Sequence, residues 1–485
     1  MASGRDGRPG RRQGNRPAAP GSGGHPPRPR TPVDAPRLAA FEALRAVTEE
    51  DAYANLVLPG RLGAHGLSGR DAGFTTELVA GSLRWQGTYD AVLEACLTGR
   101  SRLEPAVRDV LRLGVHQLLG MRVSSHAAVS TSVDLVRLRV GPGPAGLVNA
   151  VLRRVSAHDL QTWVRMLAPD PATDPHGFAA LAHAHPRWVV DELAAALGTR
   201  AAELPALLAA DNEPPRVTLV ARPGLADRAE LIEAGATPTP WSPWGATLRS
   251  GDPGELAAVA EGRAGVQDEG SQLVAAAVLA AVPFAGHRAG GERWLDTCAG
   301  PGGKASVLGA VAAQQGARLL AGERQPHRAG LVAGALTAVP PGAAAVVVAD
   351  GTVPAWAEGA FDRVLVDAPC TGLGALRRRP EARWRRSRND LPPLVSLQEA
   401  LLLGALDSVR PGGVVVYATC SPVLAETEGV VRAVLTARPD IELADAVALL
   451  PQVPDSAGPL PGTVQLWPHR HGTDAMFLAL LRRPT

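Results

Sequence analysis

Lysine is almost missing from this chain. Of 49 basic residues, Lys304 is the single lysine. Where arginine serves everywhere else, a lone ammonium points to a site too tight for a guanidinium; the alternative is one lysine that survived a mutational bias. Cysteine is scarce as well: Cys96, Cys298, Cys370 and Cys420 lie far apart and form no CxxC pair. That argues against a zinc site and a disulfide framework, so no bound metal and a reducing, cytoplasmic setting are expected. Long apolar runs are lacking. The longest uncharged stretch, Ala329 to Ala349, is interrupted by Pro340-Pro341-Gly342 and reads as helix, turn and strand, so no membrane partner is expected. Arg11-Arg12 is followed by no apolar segment, which argues against a signal peptide. The formal charge of +2 names no partner by itself; only its distribution can.

What is present divides into four parts. With 485 residues the chain can hold two to four domains. Residues 1–32 are Gly, Pro and Arg with almost nothing to bury, and read as a disordered basic arm that either touches nucleic acid or merely solubilises. Residues 33–165 are patterned as helices: Leu38, Phe41, Leu44 and Val47 recur at three-residue steps, and strand-like alternation is missing. Residues 166–265 read as a Pro/Asp-rich linker, a helix opening at His185-Pro186-Arg187-Trp188 and a small α+β module. In residues 266–485 strands and helices alternate, which predicts a mainly parallel, doubly wound α/β sheet.

The chemistry gathers at the strand ends of that last part. Trp294-Leu295-Asp296 reads as a buried strand that breaks at Gly300-Pro301-Gly302-Gly303 into an Ala-rich helix. Such a corner turns backbone N–H groups and a positive helix end toward one small volume suited to a nucleotide-like ligand. A Walker loop is excluded, because Cys298 stands where its first glycine belongs and Ala305 follows Lys304. The dinucleotide fingerprint is only weakened, since Ala305 satisfies its looser form. Glu323 ends the next strand, where a carboxylate can accept both ribose hydroxyls, and Asp350 and Asp367 end the two after it. Carboxylates on one rim repel phosphates, so a phosphate-free, cationic nucleoside fits better. S-adenosylmethionine is that kind of molecule.

Cys370 and Cys420 fall in proline-containing turns at the ends of neighbouring strands. Two thiols and Asp367 on one rim, without metal spacing, predict covalent catalysis. Between them, residues 377–388 hold seven arginines, one Trp and one Glu. Arg377, Arg378, Arg379, Arg383 and Arg385 are expected to grip RNA phosphates and Trp384 to stack a base, the alternative being a solvated charged face.

These residues carry a family resemblance. Asp296-Thr297-Cys298-Ala299-Gly300-Pro301-Gly302-Gly303-Lys304, Asp367-Ala368-Pro369-Cys370-Thr371-Gly372 and Ala418-Thr419-Cys420-Ser421 resemble three successive motifs of the RsmB/Nop2/Sun family of RNA 5-methylcytosine methyltransferases, which a NusB-like N-terminus narrows to its RsmB (Sun/Fmu) branch. Phe74 to Arg84 and Gly146 to Arg154 resemble a NusB-like RNA-binding domain. The resemblance implies a Rossmann-like domain using S-adenosylmethionine to methylate a cytosine of 16S ribosomal RNA. It implies that Cys298, Ala299, Gly300, Pro301, Gly302, Gly303 and Lys304 form the cofactor loop, with Glu323, Asp350 and Asp367 completing the cofactor site. It gives Cys420 the role of nucleophile and Cys370 that of assisting its release, while Asp367 can serve the ring at N3. Gly300 departs from the family's more usual alanine, and Ala475-Met476 from its usual Gly-Phe. A transfer RNA methyltransferase and a catalytically inert RNA-binding or antitermination factor stand as alternatives; oligomeric state is open, with a monomer favoured.

Overall fold

The computed structural model describes residues 33–97, 103–283 and 291–485. The arm expected over 1–32 lies outside them. The first described part is a bundle of eight helices: α1 (Ala35–Glu49), α2 (Ala54–Ala64), α3 (Gly69–Arg84), α4 (Gln86–Cys96), α5 (Pro105–Leu119), α6 (Ser125–Arg139), α7 (Ala145–Val155) and α8 (Leu160–Leu167). Local chemistry sets their starts. Asp34 accepts from the Arg37 N–H with Pro36 inside the first turn of α1, and Ser124 and Asp159 cap α6 and α8 in the same way. The stripe Phe41, Leu44 and Val47 turns inward to meet Leu78, Leu83, Val110, Leu111, Val151 and Leu152.

Residues 166–216 are more helical than a linker. Pro175–Ala182, Arg187–Leu197 and Leu204–Ala210 are three helices. The stretch Arg187–Ala210 is long and apolar enough by composition to cross a membrane. It is kinked at Arg200, however, and Val189, Val190, Leu193, Leu204, Leu207 and Leu208 pack on Leu373, Leu376 and Val423 of the C-terminal domain. That apolar face is a domain contact.

A four-stranded antiparallel sheet follows, with strands β1 (Val217–Ala221), β2 (Thr237–Pro238), β3 (Gly245–Leu248) and β4 (Ala264–Val266) in the order β2-β3-β1-β4. Arg222 leaves β1 and donates to the Ala335 carbonyl at 2.8 Å, tying this module to the C-terminal domain.

The large sheet contains β5 (Arg293–Asp296), β6 (Arg318–Glu323), β7 (Ala344–Val348), β8 (Phe361–Asp367), β9 (Val409–Thr419), β10 (Glu442–Ala444), β11 (Val464–Gln465) and β12 (Phe477–Arg482). Its order is β10-β12-β9-β8-β5-β6-β7, with β11 on β12. Strands β5 to β9 run parallel, while β12 pairs antiparallel with β9 and β10 with β12. The helices Glu269–Ala280 and Gly303–Gln315 cover one face, and Leu391–Ser408 and Glu428–Ala437 the other. The helix Leu391–Ser408 opens on Pro392 and Pro393, which suit a first turn, where no backbone donor is required. Strand order reverses between β5 and β8, so a crevice opens beyond their carboxyl ends. Asp296, Asp367 and Cys420 are at that crevice.

Candidate active site

Asp296 ends β5 and the chain turns at once. The Thr297 N–H donates to the Leu365 carbonyl and the Ala299 N–H to the Gly322 carbonyl, so neighbouring strands fix the start of the loop. Gly302 then takes a φ of +112°, and a Cβ there would lie 2.5 Å from the Ala335 methyl. Only glycine fits both the backbone and the space. At Gly300 an added Cβ would come within 2.2 Å of Glu323 Oε2. The glycine thus lets the Glu323 carboxylate lie directly against the loop. Glu323 is buried, accepts from the Gln325 N–H at 2.9 Å, and has Arg328 3.5 Å away, whose guanidinium also donates to the Gly300 carbonyl at 2.8 Å. Asp350, just beyond β7, accepts from the Thr352 N–H and hydroxyl at 3.0 and 2.7 Å.

Beneath the loop, Asp296 Oδ1 accepts from the Cys298 N–H at 3.2 Å, while Oδ2 is buried without a partner. Burial, then the neighbouring Asp367, push its carboxyl up to about 7. An orphaned carboxylate oxygen at the floor of a crevice is matched to a cation. Cys298 is half-buried, and loss of solvent around its sulfur raises its thiol well above the ordinary range.

Lys304 rises from the first turn of the helix, and its Nζ sits 2.7 Å from Asp367 Oδ2. Burial works against the ammonium, but Asp367 outweighs it and the lysine's pKa is raised. The side chain is nearly enclosed, at 12% exposure, so the wider arginine fork would not fit without displacement. Beside this pair, Cys370 Sγ and Cys420 Sγ are 3.5 Å apart. The contact with Cys370 lowers the Cys420 pKa, aided by Lys304 and Arg379 against burial and Asp367. The same contact, together with burial, raises Cys370. The contact therefore favours ionisation of Cys420 over that of Cys370.

The arginine-rich segment does something other than expected. Arg383 is fully buried and donates to the Ala184 carbonyl, the Asn212 side chain and the Asp211 carbonyl. Trp384 donates to the Leu83 carbonyl at 2.7 Å and lies against Gly87, where a Cβ would be 2.3 Å from the indole. Arg385 reaches the carbonyls of Val47 and Ala52. Arg378 is bound by Asp268 and Asp474, and Arg377 by Asp474. These five, expected to face RNA, have partners inside the molecule: Trp384 and Arg385 tie the segment to the helical bundle, Arg383 to residues 184–212, and Arg377 and Arg378 to Asp268 and Asp474, because buried carbonyls and a buried acidic pair need donors. Arg379 differs. It is exposed, sits over the Tyr53 ring at 5.6 Å, and is near enough to lower the Cys420 thiol.

Comparison with known proteins places this geometry. Residues 287–482 match the family described as 16S rRNA methyltransferase RsmB/F, and residues 34–157 match the NusB family. Ribosomal RNA small subunit methyltransferase B of Pseudomonas putida is 33% identical over 85% of this chain and 92% of its own length. The chain belongs to the RsmB/F methyltransferase family. A Mycobacterium tuberculosis relative, Rv1407, is 51% identical over 94% of this chain and 98% of its own; its description names a methyltransferase and no substrate. The solved structure of PH0851 shares the fold at a TM-score of 0.76, with 24% identity over 93% of this chain and 99% of that one. As an RsmB/F member, this protein is an S-adenosylmethionine-dependent RNA cytosine-C5 methyltransferase with a NusB domain. Its residues suit that cofactor: glycines at 300 and 302 leave room that a Cβ would fill, Glu323 lies against the loop, and one oxygen of the buried Asp296 has no partner within the protein.

Three residues escaped the sequence reading. Asp296 heads the first motif but is given no role by it, although a carboxylate shortly before a glycine turn is a signal. Gln267 lies beneath Gly303 with its Oε1 unpartnered, and nothing in its surroundings in sequence marks it. Glu426, buried six residues after Cys420, is one of two acids in the run Glu426-Thr427-Glu428, and nothing in sequence sets it apart from its neighbour. Among the described residues, no group of three or more His, Cys, Asp or Glu could hold a metal ion.

Proposed function

We propose that this protein methylates C5 of a cytosine in 16S ribosomal RNA through a transient bond between Cys420 and C6. The observation that carries the chemistry is the Cys370–Cys420 contact of 3.5 Å beside the Lys304–Asp367 pair. The choice of ribosomal RNA rests on the NusB domain and on the Pseudomonas putida relative, whose name states that substrate. S-adenosylmethionine supplies an electrophilic methyl group when bound; the protein must make C5 of the cytosine nucleophilic. Cys420 thiolate forms the S–C6 bond, and the ring electrons it displaces gather on C5 and toward N3, where Asp367 holds a hydrogen bond or proton. After C5 has taken the methyl, its proton leaves to solvent, those electrons restore the C5–C6 double bond, and the S–C6 bond breaks. Cys370, as a thiol, donates to the departing Cys420 sulfur.

In this reading Cys298 to Lys304, Glu323, Asp350 and Asp367 line the cofactor site. Of the arginines first assigned to RNA, Arg379 retains that role: its exposed guanidinium beside Tyr53 offers a phosphate contact and a stacking face at the crevice mouth. A base must leave its stack to reach Cys420, so loop or single-stranded cytosines are the targets. The protein works in the cytoplasm, as a monomer, where its thiols stay reduced. Mapping 5-methylcytosine in 16S ribosomal RNA from cells with and without the protein tests the proposal, with transfer RNA assayed in parallel. One 16S position should lose its mark, whereas a loss confined to transfer RNA would overturn the substrate.

A further inference from the structure

Two sulfurs at contact distance can exchange roles, yet the reaction requires one to attack and the other to keep a proton. Something must break their symmetry. Glu426 ends a short turn, Leu424–Glu426, between β9 and the helix Glu428–Ala437. It is wholly buried and accepts four hydrogen bonds. Oε1 receives the Thr371 N–H at 2.7 Å and Gln398 Nε2 at 3.0 Å. Oε2 receives the Thr371 hydroxyl at 2.5 Å and the Ser421 hydroxyl at 2.6 Å. Thr371 follows Cys370 and Ser421 follows Cys420, and their hydroxyls are themselves 3.0 Å apart. Gln398 adds a second grip, donating to the Pro369 carbonyl at 2.8 Å. Tyr417 anchors the other end through the Glu426 carbonyl at 2.7 Å.

We propose that Glu426 is a positioning residue for methyl transfer, its carboxylate joining the two cysteine turns so that Cys370 keeps the proton and Cys420 presents the thiolate. This rests on Cys420 being the nucleophile. Geometry sets the sulfur separation, since the residues immediately after both cysteines hang from one carboxylate. Charge adds to the asymmetry. Beyond the Cys420 contact and burial, Glu426 opposes ionisation of Cys370, with Tyr417 packed nearby, whereas Cys420 faces Lys304 and Arg379 as well as Asp367. A buried carboxylate with all its main acceptor positions filled is preorganised for both tasks.

Glu426→Gln separates the charge from the scaffold, because the amide has the same shape and the two hydroxyls can turn to accept from it. The variant should fold and bind S-adenosylmethionine as the parent does. Its kcat should fall at least tenfold with KM for RNA unchanged, and a protein–RNA adduct stable to denaturation should build up. Brief iodoacetamide labelling mapped by peptide mass should shift from Cys420 alone to a comparable share on Cys370. Parental turnover with label still confined to Cys420 would overturn the proposal. If Glu426→Gln is not recovered folded, Thr371→Val, which removes one hydroxyl donor, is read by the same criteria. Cys420→Ala is run alongside: if it still methylates, the nucleophile is misassigned, and if it is dead while Glu426→Gln is normal, only the clamp is wrong.

Discussion

Cys370 and Cys420 are 50 residues apart in the chain, and their sulfurs lie 3.5 Å apart in the fold. Parallel pairing of β8 with β9 brings this about: Asp367 is in register with Ala418, so the turns that leave the two strands emerge side by side. Cys420→Ala should abolish methylation and leave S-adenosylmethionine binding intact. Cys370→Ala should instead trap RNA on the enzyme, visible as a covalent band on a denaturing gel.

Lys304 supports the Cys420 thiolate and is itself held by Asp367. Lys304→Met removes that charge, so the pH profile of Cys420 alkylation should move upward by about one unit. An unshifted profile would leave the lowering to the Cys370 contact and Arg379.

Asp296 carries a carboxyl raised to about 7, against about 3.9 for the unfolded chain. The native state therefore keeps a proton that the unfolded chain has released, and this group costs stability as pH rises from about 4 to 7, with no further change above. A cation in the crevice favours the ionised form, so binding of S-adenosylmethionine should release a proton and tighten about tenfold from pH 6 to pH 8. Calorimetry in buffers of different ionisation enthalpy measures that release. Asp296→Asn should flatten the dependence.

Trp384 and Gly87 form a lock between the helical bundle and the C-terminal domain. Trp384→Ala removes both the indole contact and the bond to Leu83, a loss of about 3 kcal/mol by analogy with other large-to-small changes. Gly87→Ala should act in the same direction by pushing the indole out. Limited proteolysis between the domains and the unfolding midpoint report both, while isolated-domain cofactor binding should hold.

Tyr53 stands between Arg379 and Arg385, with ring distances of 5.6 and 5.1 Å, and is 40% exposed. Tyr53→Ala should raise KM for RNA about tenfold, the worth of one stacked base, with kcat little changed. Tyr53→Trp should restore it. No change in KM would remove this face from the RNA path.

The glycine corner, the strand-and-helix alternation and the helical bundle could be read from the chain because each is written locally: a strand broken by glycines, apolar residues at fixed steps, capping residues at helix starts. Residue chemistry is local too, and the lone Lys304 drew attention before any fold was known. The arginine run shows where local reading stops. Composition cannot distinguish a solvated arginine from one that crosses to a carbonyl contributed by a segment some two hundred residues away, as Arg383 does with Ala184. Glu426 is the same case in reverse, an ordinary acid until Thr371 and Ser421 arrive from two other turns. Nor could the sequence reveal that β12 would insert antiparallel between β9 and β10, because strand order depends on which edges remain unpaired once the sheet assembles. The sequence alone determined which chemistry this protein carries and which elements hold it. The tertiary structure decided which charges face a partner and which face water, since that depends on burial against distant segments.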